Sequence, residues 1–372
     1  MKKPLTLMIL LLGTIACSSG RKLVERTMVD GVEVVLSHAI PARAGQDGLF
    51  SLEELFRIDS ETETRVGDIL GFEVDTAGDV FILRQNTGKG DFLFKFDATG
   101  RSLKSFARKG QGPGELQNPR HITMGKNNRL LISDGGRVFE YDDEGVFRRV
   151  DPLDFTARVT AGPGDSLIAR HVEQQFRGDK QVMTWSADLL DSRFIKLRKL
   201  DSLTAEIGLS DLRFPEPLLC WSASTDRIFI GNEDRAYDVR VYDRDGMLRR
   251  RIKKEYAAVP VSDDFKSQAL KPLPEPLRKA VHFPDAHSPF QSLAAADDGT
   301  LFVATFEAGD RPGEYIFDIF GKDGGLMGRK SLPAVVTEGH LWMKIMAGKL
   351  YILREKPNGF KEISASRILW NH

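Results

Sequence analysis

The sequence predicts an all-β fold: a six-bladed β-propeller of four-stranded antiparallel blades, closed by pairing of its N- and C-terminal segments. Three observations carry this expectation. A hairpin pattern, apolar run, tight polar turn, apolar run, recurs six times. Behind most copies comes an alternating aromatic or aliphatic run that ends in a turn former with a glycine a few residues on. The 372-residue chain is also rich in turn formers, with 34 Gly and 17 Pro. At 41% hydrophobic and 28% charged, it is globular rather than disordered.

The hairpins come in order at residues 72–83, 122–132, 159–168, 221–230, 293–303 and 342–353. Their turns contain Asp79, Asn128, Asp165, Asp226, Gly299 and Gly348. Turn formers between runs of β-branched and aromatic residues mark β-hairpins. Third strands are expected at 93–96, 138–141, 239–242 and 317–320, followed by the glycines Gly100, Gly145, Gly246 and Gly324. Fourth strands follow at 102–106, 146–150, 248–252 and 326–332. Four short strands repeated at this period are the mark of propeller blades. The last blade lacks a strand, and residues 50–58 are expected to supply it, which closes the ring and removes two bare sheet edges. The alternative is seven blades, with residues 23–65 forming a full one. Residues 257–290 carry Pro260, Pro272, Pro274, Pro276, Pro284 and Pro289, with a short helix expected at 263–270. They read as an inter-blade insertion lying on one face.

The N-terminus supplies an address. Lys2 and Lys3 precede an apolar run at 5–12, too short to span a bilayer, then Ala16 and Cys17. This is the pattern of a secretory signal peptide. Ala16-Cys17 resembles a bacterial lipobox, in which the cysteine is lipidated, although Thr14 stands where such motifs usually carry Leu. An ordinary signal peptide cut nearby is the alternative. The expected organisation is a signal peptide at 1–16, a lipidated N-terminal linker and lead-in at 17–48, and the propeller at 49–372. Lipidation of Cys17 leaves Cys220 without a disulfide partner; within Leu218-Leu219-Cys220-Trp221 it reads as a buried small hydrophobe.

One segment carries a family resemblance. Gly110-Gln111-Gly112-Pro113-Gly114-Glu115 runs to Pro119 and into the second hairpin. Over about 35 residues this resembles NHL-type repeats and the six-bladed propeller lipoproteins of Gram-negative bacterial envelopes. The resemblance implies the fold and an exported location on the periplasmic side or cell surface. It implies no particular chemistry, because such propellers serve as binding platforms and, less often, as enzymes.

Several function classes are disfavoured. Lys+Arg and Asp+Glu both number 53, so nothing points to nucleic acid. The glycines of 110–114 do not open a helix, so they are no phosphate-cradling loop. Asp-rich turns such as Asp142-Asp143-Glu144-Gly145 read as turns bonded to their own backbone rather than calcium loops. The basic run at 249–254 reads as a solvated outer edge strand that discourages aggregation.

Propeller geometry gathers first-strand starts and second-strand ends at one mouth of the central channel. The candidate ligand-binding residues there are Arg84, Arg120, His121, Arg158, Arg170, His340 and Arg354. Guanidinium pairs bidentately with carboxylates and phosphates, so the excess of arginine points to a small anionic ligand. The expected function is an exported, lipid-anchored binding or scaffold protein of the cell envelope, serving such a ligand or an envelope protein partner. The alternative is a propeller lyase or hydrolase using a channel-bound divalent metal held by His121, His340 or His171. No other cofactor is expected.

Overall fold

Six blades, each with four antiparallel strands, follow one another along the chain, and one of them is extended to a six-stranded sheet. The computed structural model describes residues 23–38, 48–63, 66–85, 88, 90–153, 158–178, 180–208, 212–337 and 339–371; Cys17 and the expected signal segment lie outside them. Strands are lettered A to D within each blade. Blade 1 comprises Ile69–Val74, Val80–Arg84, Asp91–Phe96 and Ser102–Arg108; blade 2 comprises Pro119–Met124, Leu130–Asp134, Arg137–Tyr141 and Phe147–Pro152. Blade 3 comprises Val159–Ala161, Leu167–Arg177, Lys180–Leu190 and Lys196–Ile207. Blade 4 comprises Leu219–Ala223, Arg227–Asn232, Asp238–Asp243 and Leu248–Lys254; blade 5 comprises Ser292–Ala295, Leu301–Ala308, Glu314–Phe320 and Leu326–Pro333. Blade 6 takes A to C from Met343–Met346, Lys349–Glu355 and Lys361–Trp370, and D from Phe50–Asp59. The count is six, and all six expected hairpin turns join A to B.

Blade 6 is where the chain closes on itself. Phe50 faces Trp370 and Asp59 faces Glu362 across the D–C pair, with one register shift between Glu54 and Phe56. Phe50 is fully buried and packs edge-on against Trp370, with ring centroids 5.1 Å apart. Arg57 adds an ion pair to Glu362 at 3.1 Å.

The C–D turns of blades 1 to 4 share one aspartate pattern. Asp97 Oδ1 accepts from the backbone N–H of Thr99 and Arg101; Asp142, Asp191 and Asp243 repeat the pattern on the residues two and four further on. The glycine then turns left-handed: Gly145 has φ 72°. It also sits against the outer strand of the preceding blade, where a Cβ would meet the Phe106 ring at 2.7 Å. Glycine therefore answers both the backbone and the packing demand. Blade 3 keeps the aspartate but not the glycine, because Phe194 adopts φ 65° in that place. That missing glycine is why strands C and D of blade 3 escape a pattern search.

The basic strand Leu248–Lys254 is not a sheet edge, contrary to expectation. Val24–Val29 and Val32–Ser37, within the segment expected as a lead-in, form a hairpin that pairs parallel to it and becomes the rim of a six-stranded sheet. Four of its five charges meet acids: Arg249 meets Asp243 at 2.7 Å, Arg250 meets Glu33 at 2.6 Å, Arg251 meets Asp238, and Lys254 reaches the fully buried Asp318 at 2.7 Å. The proline-rich insertion carries helices Asp263–Leu270 and Glu275–Ala280, the first capped by Ser262. It connects blade 4 strand D to the start of blade 5 strand A. Cys220 is fully buried, which pushes its thiol pKa up to about 12.

Two outcomes follow. Phe50→Ala empties a closed core site in the strand that closes the ring. It should lower stability by roughly 3–5 kcal/mol, read as a shifted denaturation midpoint; Gly145→Ala should cost roughly 1–3 kcal/mol through backbone strain. The Thr99 hydroxyl and the turn N–H groups hold the Asp97 carboxyl down at about 2. A depressed carboxylate stabilises the fold above its unfolded pKa of about 3.9, and that contribution is lost as pH falls towards about 2. Thermal scans should show Asp97→Ala lowering Tm at pH 6 but converging on the unsubstituted protein near pH 2.

Candidate functional site

Antiparallel pairing puts the start of each A strand beside the end of its B strand. Pro119 faces Asp134, Val159 faces Ala169, and Leu219 faces Asn232. A strands of blades 1 and 2, 2 and 3, 4 and 5, and 5 and 6 touch one another, so these ends collect around one mouth of the channel.

Arg158 immediately precedes strand A of blade 3 and is only 4% exposed. Its guanidinium lies 4.3 Å from the centroid of the Trp221 ring in blade 4. The Trp221 indole N–H donates to Thr160 Oγ1 at 2.7 Å, which holds the ring in place. Opposite, His340 stands edge-on to Trp342 with centroids 4.4 Å apart. Trp342 in turn presses on Gly71 of blade 1, where a Cβ would lie 2.1 Å from the ring. Only glycine admits that approach.

The mouth is electropositive, and this sets the state of its imidazoles. Burial, then the charges of Arg158, Arg120 and Arg170, push His121 down to about 4. Burial, then Arg158, His121 and Lys344, hold His340 well below the usual histidine range. Both rings are neutral at pH 7.

The structure thus brings Arg120, His121, Arg158, Arg170 and His340 together. Arg120 is exposed, and Arg170 pairs with Glu216 at 3.1 Å. Arg84 is held on its own blade: its Nε donates to the Asp91 carbonyl at 2.6 Å and its guanidinium lies 5.2 Å from the Phe94 ring centroid. Arg354 is half-buried, with its Nε lacking a hydrogen-bond partner among the described residues. It is not among the charges that act on His340. His171 pairs with Glu173 at 3.6 Å. Among the described residues, no three His, Cys, Asp or Glu side chains are placed to share a metal ion.

Within the channel is a cavity of about 220 Å³, lined by Phe72, Glu73, Trp221, His340, Trp342 and Lys344 among others. Lys344 bridges blade 6 to Glu73 of blade 1 at 3.0 Å. Phe72, Glu73, Thr160 and Lys344 were not legible as site residues. The available signal was the alternation of side chains along each A strand, which puts Trp342, Lys344 and Met346 on one face.

Comparison with known proteins bears on the fold. A family model described as DUF5128, 6-bladed beta-propeller, matches residues 58–190. No curated protein matches the chain. Among solved structures, a Bacteroides fragilis protein described as exported aligns at 13% identity and TM-score 0.49, over 90% of this chain and 99% of that one. The extracellular domain of a one-component system of B. thetaiotaomicron aligns at 11% and 0.39, over 86% of this chain and 44% of that one. A gluconolactonase of Xanthomonas campestris aligns at 11% and 0.41, over 89% and 100%. The strand pairing and the family match make this chain a six-bladed β-propeller.

The electrostatics of the mouth can be read directly. In an NMR titration His121 should stay neutral down to about pH 4. Arg158→Gln should raise the midpoints of both His121 and His340, since one cation acts on each. Unchanged midpoints would show that the arginine and the imidazoles are not neighbours. The lowered His121 value also means that its contribution to stability is complete above the unfolded pKa of about 6.5 and is lost as pH falls towards about 4.

Proposed function

We propose that this propeller is an exported, lipid-anchored protein of the bacterial cell envelope that binds a small anionic ligand at the channel mouth. The observation that supports the ligand class is the Arg158 guanidinium, buried on the Trp221 face with Arg120 and Arg170 nearby. Withdrawing a cation from water is costly, and stacking on a desolvated ring returns about 2 kcal/mol. Like charges gathered at one mouth repel, and a bound anion relieves that repulsion. Neutral His121 and His340 offer one N–H and one lone pair each, so they suit a ligand that carries hydroxyl or carboxyl groups as well as charge. The reading is of binding rather than catalysis. It draws on both carboxylates of the cavity wall being engaged: Glu73 is held in an ion pair by Lys344, and Asp297 Oδ2 accepts from the Ala347 backbone N–H. The envelope address rests on the signal-like N-terminus and Cys17.

Thermal shift with citrate and inorganic phosphate as probes, against uncharged glucose, tests the ligand class. Stabilisation by an anion, lost in Arg158→Gln and kept in Arg84→Gln, is the expected result. No anion effect, or one indifferent to Arg158, removes the reading. Cys17→Ala should abolish fatty-acid labelling and release the protein from the membrane fraction; retained labelling overturns the lipid anchor.

A further inference from the structure

The hairpin that covers blade 4 leaves its first strand, Val24–Val29, as the rim of the disc. Five of its six residues are exposed. Met28 is 66% exposed and Val29 46%. Two more exposed apolar side chains lie close by, Met247 in the C–D turn of blade 4 and Met327 after that of blade 5. Short links connect them. Met28 faces Glu33, and Glu33 faces Arg250, three residues from Met247. Arg26, on the same side of its strand as Met28, bonds Asp323 in the blade 5 turn. A Cβ on Gly321 of that turn would lie 3.4 Å from the Met327 sulfur. Scattered apolar residues need no explanation, but here Met28 and Val29, on the two faces of one edge strand, stand beside Met247 and Met327 of two neighbouring C–D turns, so three elements of one rim expose apolar side chains.

Chain length says what faces this patch. Five residues lie between Cys17 and Leu23, where the hairpin begins, so six Cα–Cα steps join them. Fully extended they reach about 21 Å. Two opposite four-stranded blades alone span about 38 Å at about 4.8 Å per strand. A lipid on Cys17 therefore cannot bring the far rim to the bilayer. We propose that the rim formed by the 24–37 hairpin and the C–D turns of blades 4 and 5 is the membrane-facing surface, with Met28, Val29, Met247 and Met327 resting in the interfacial layer. This rests on the lipidation proposed above. It leaves the mouth open to the side instead of pressed against lipid, and it treats the hairpin as a spacer that fixes orientation.

The test uses the full-length lipoprotein, purified from bacterial membranes and reconstituted in phosphatidylethanolamine–phosphatidylglycerol vesicles that contain a headgroup-region nitroxide lipid. Single cysteines replace Met28 on the rim, Leu277 in the insertion, or Val146 on blade 2, each exposed, and carry an environment-sensitive fluorophore. Cys220 is fully buried and stays unlabelled in folded protein. The expected result is that the Met28→Cys probe loses most of its emission to the nitroxide while the other two keep theirs. Quenching at Leu277→Cys or Val146→Cys with Met28→Cys untouched overturns the rim assignment and leaves lipidation standing. Protein that carries no fatty acid and stays off the vesicles overturns lipidation, and the rim assignment falls with it.

Discussion

Everything at the channel mouth depends on one strand pair: Phe50–Asp59 against Lys361–Trp370. Arg57 and Glu362 meet across 305 residues of chain. Closing a loop of that length costs about 5 kcal/mol of chain entropy by the logarithmic loop law. Burying Phe50 and Ile58 returns roughly 1.5–3 kcal/mol each, and each ladder hydrogen bond roughly 0.5–1.5 kcal/mol. Closure is therefore favourable once the other blades are formed. Without it, blade 6 would expose a bare edge and Met343–Met346 would have no reason to sit against blade 1.

The closed ring is what makes the mouth electrostatically unusual. Its residues come from loops and strand ends far apart in sequence, and no local rule prevents several cations from meeting there. Arg158 lies between blades 3 and 4 because Trp221 offers it a face, and Trp221 is held by Thr160 across the same boundary. The neutral state of His121 and His340 follows from that arrangement rather than from their own neighbours in the chain. Acid conditions would put protons on imidazoles that already face Arg158, so protonation there is opposed by like charge.

The outside of the ring is governed by a different economy. Ion pairs and turn bonds there join strands of one sheet or adjacent blades: Arg250 to Glu33, Arg251 to Asp238, Lys104 to Glu144. Blade packing relies on the turn glycines meeting the preceding outer strand, as Gly145 meets Phe106 and Gly100 meets Phe56. The sheet that received an additional hairpin is the one whose outer strand was most basic, and Glu33 brings the compensating charge.

The sequence by itself determined the repeat. Hairpin turns, Asp-to-Gly turns and the closing strand at 50–58 are local patterns of propensity, and local patterns survive without tertiary context. Blade 3 shows the limit: its long B and C strands carry Glu173, Gln174 and Gln175, and Phe194 takes the place of the glycine. The site was legible only as a set of ends that should gather. Five of the seven named residues do gather. Arg84 does not, since the Asp91 carbonyl and the Phe94 face draw it onto its own blade. The hairpin over Leu248–Lys254 was also beyond reach, because parallel pairing across more than 200 residues leaves no periodic signal in either strand. Strand propensity is written in near neighbours; side-chain direction, pairing of distant edges and the charge on a histidine are set by what the closed ring brings alongside, and that only the tertiary structure decided.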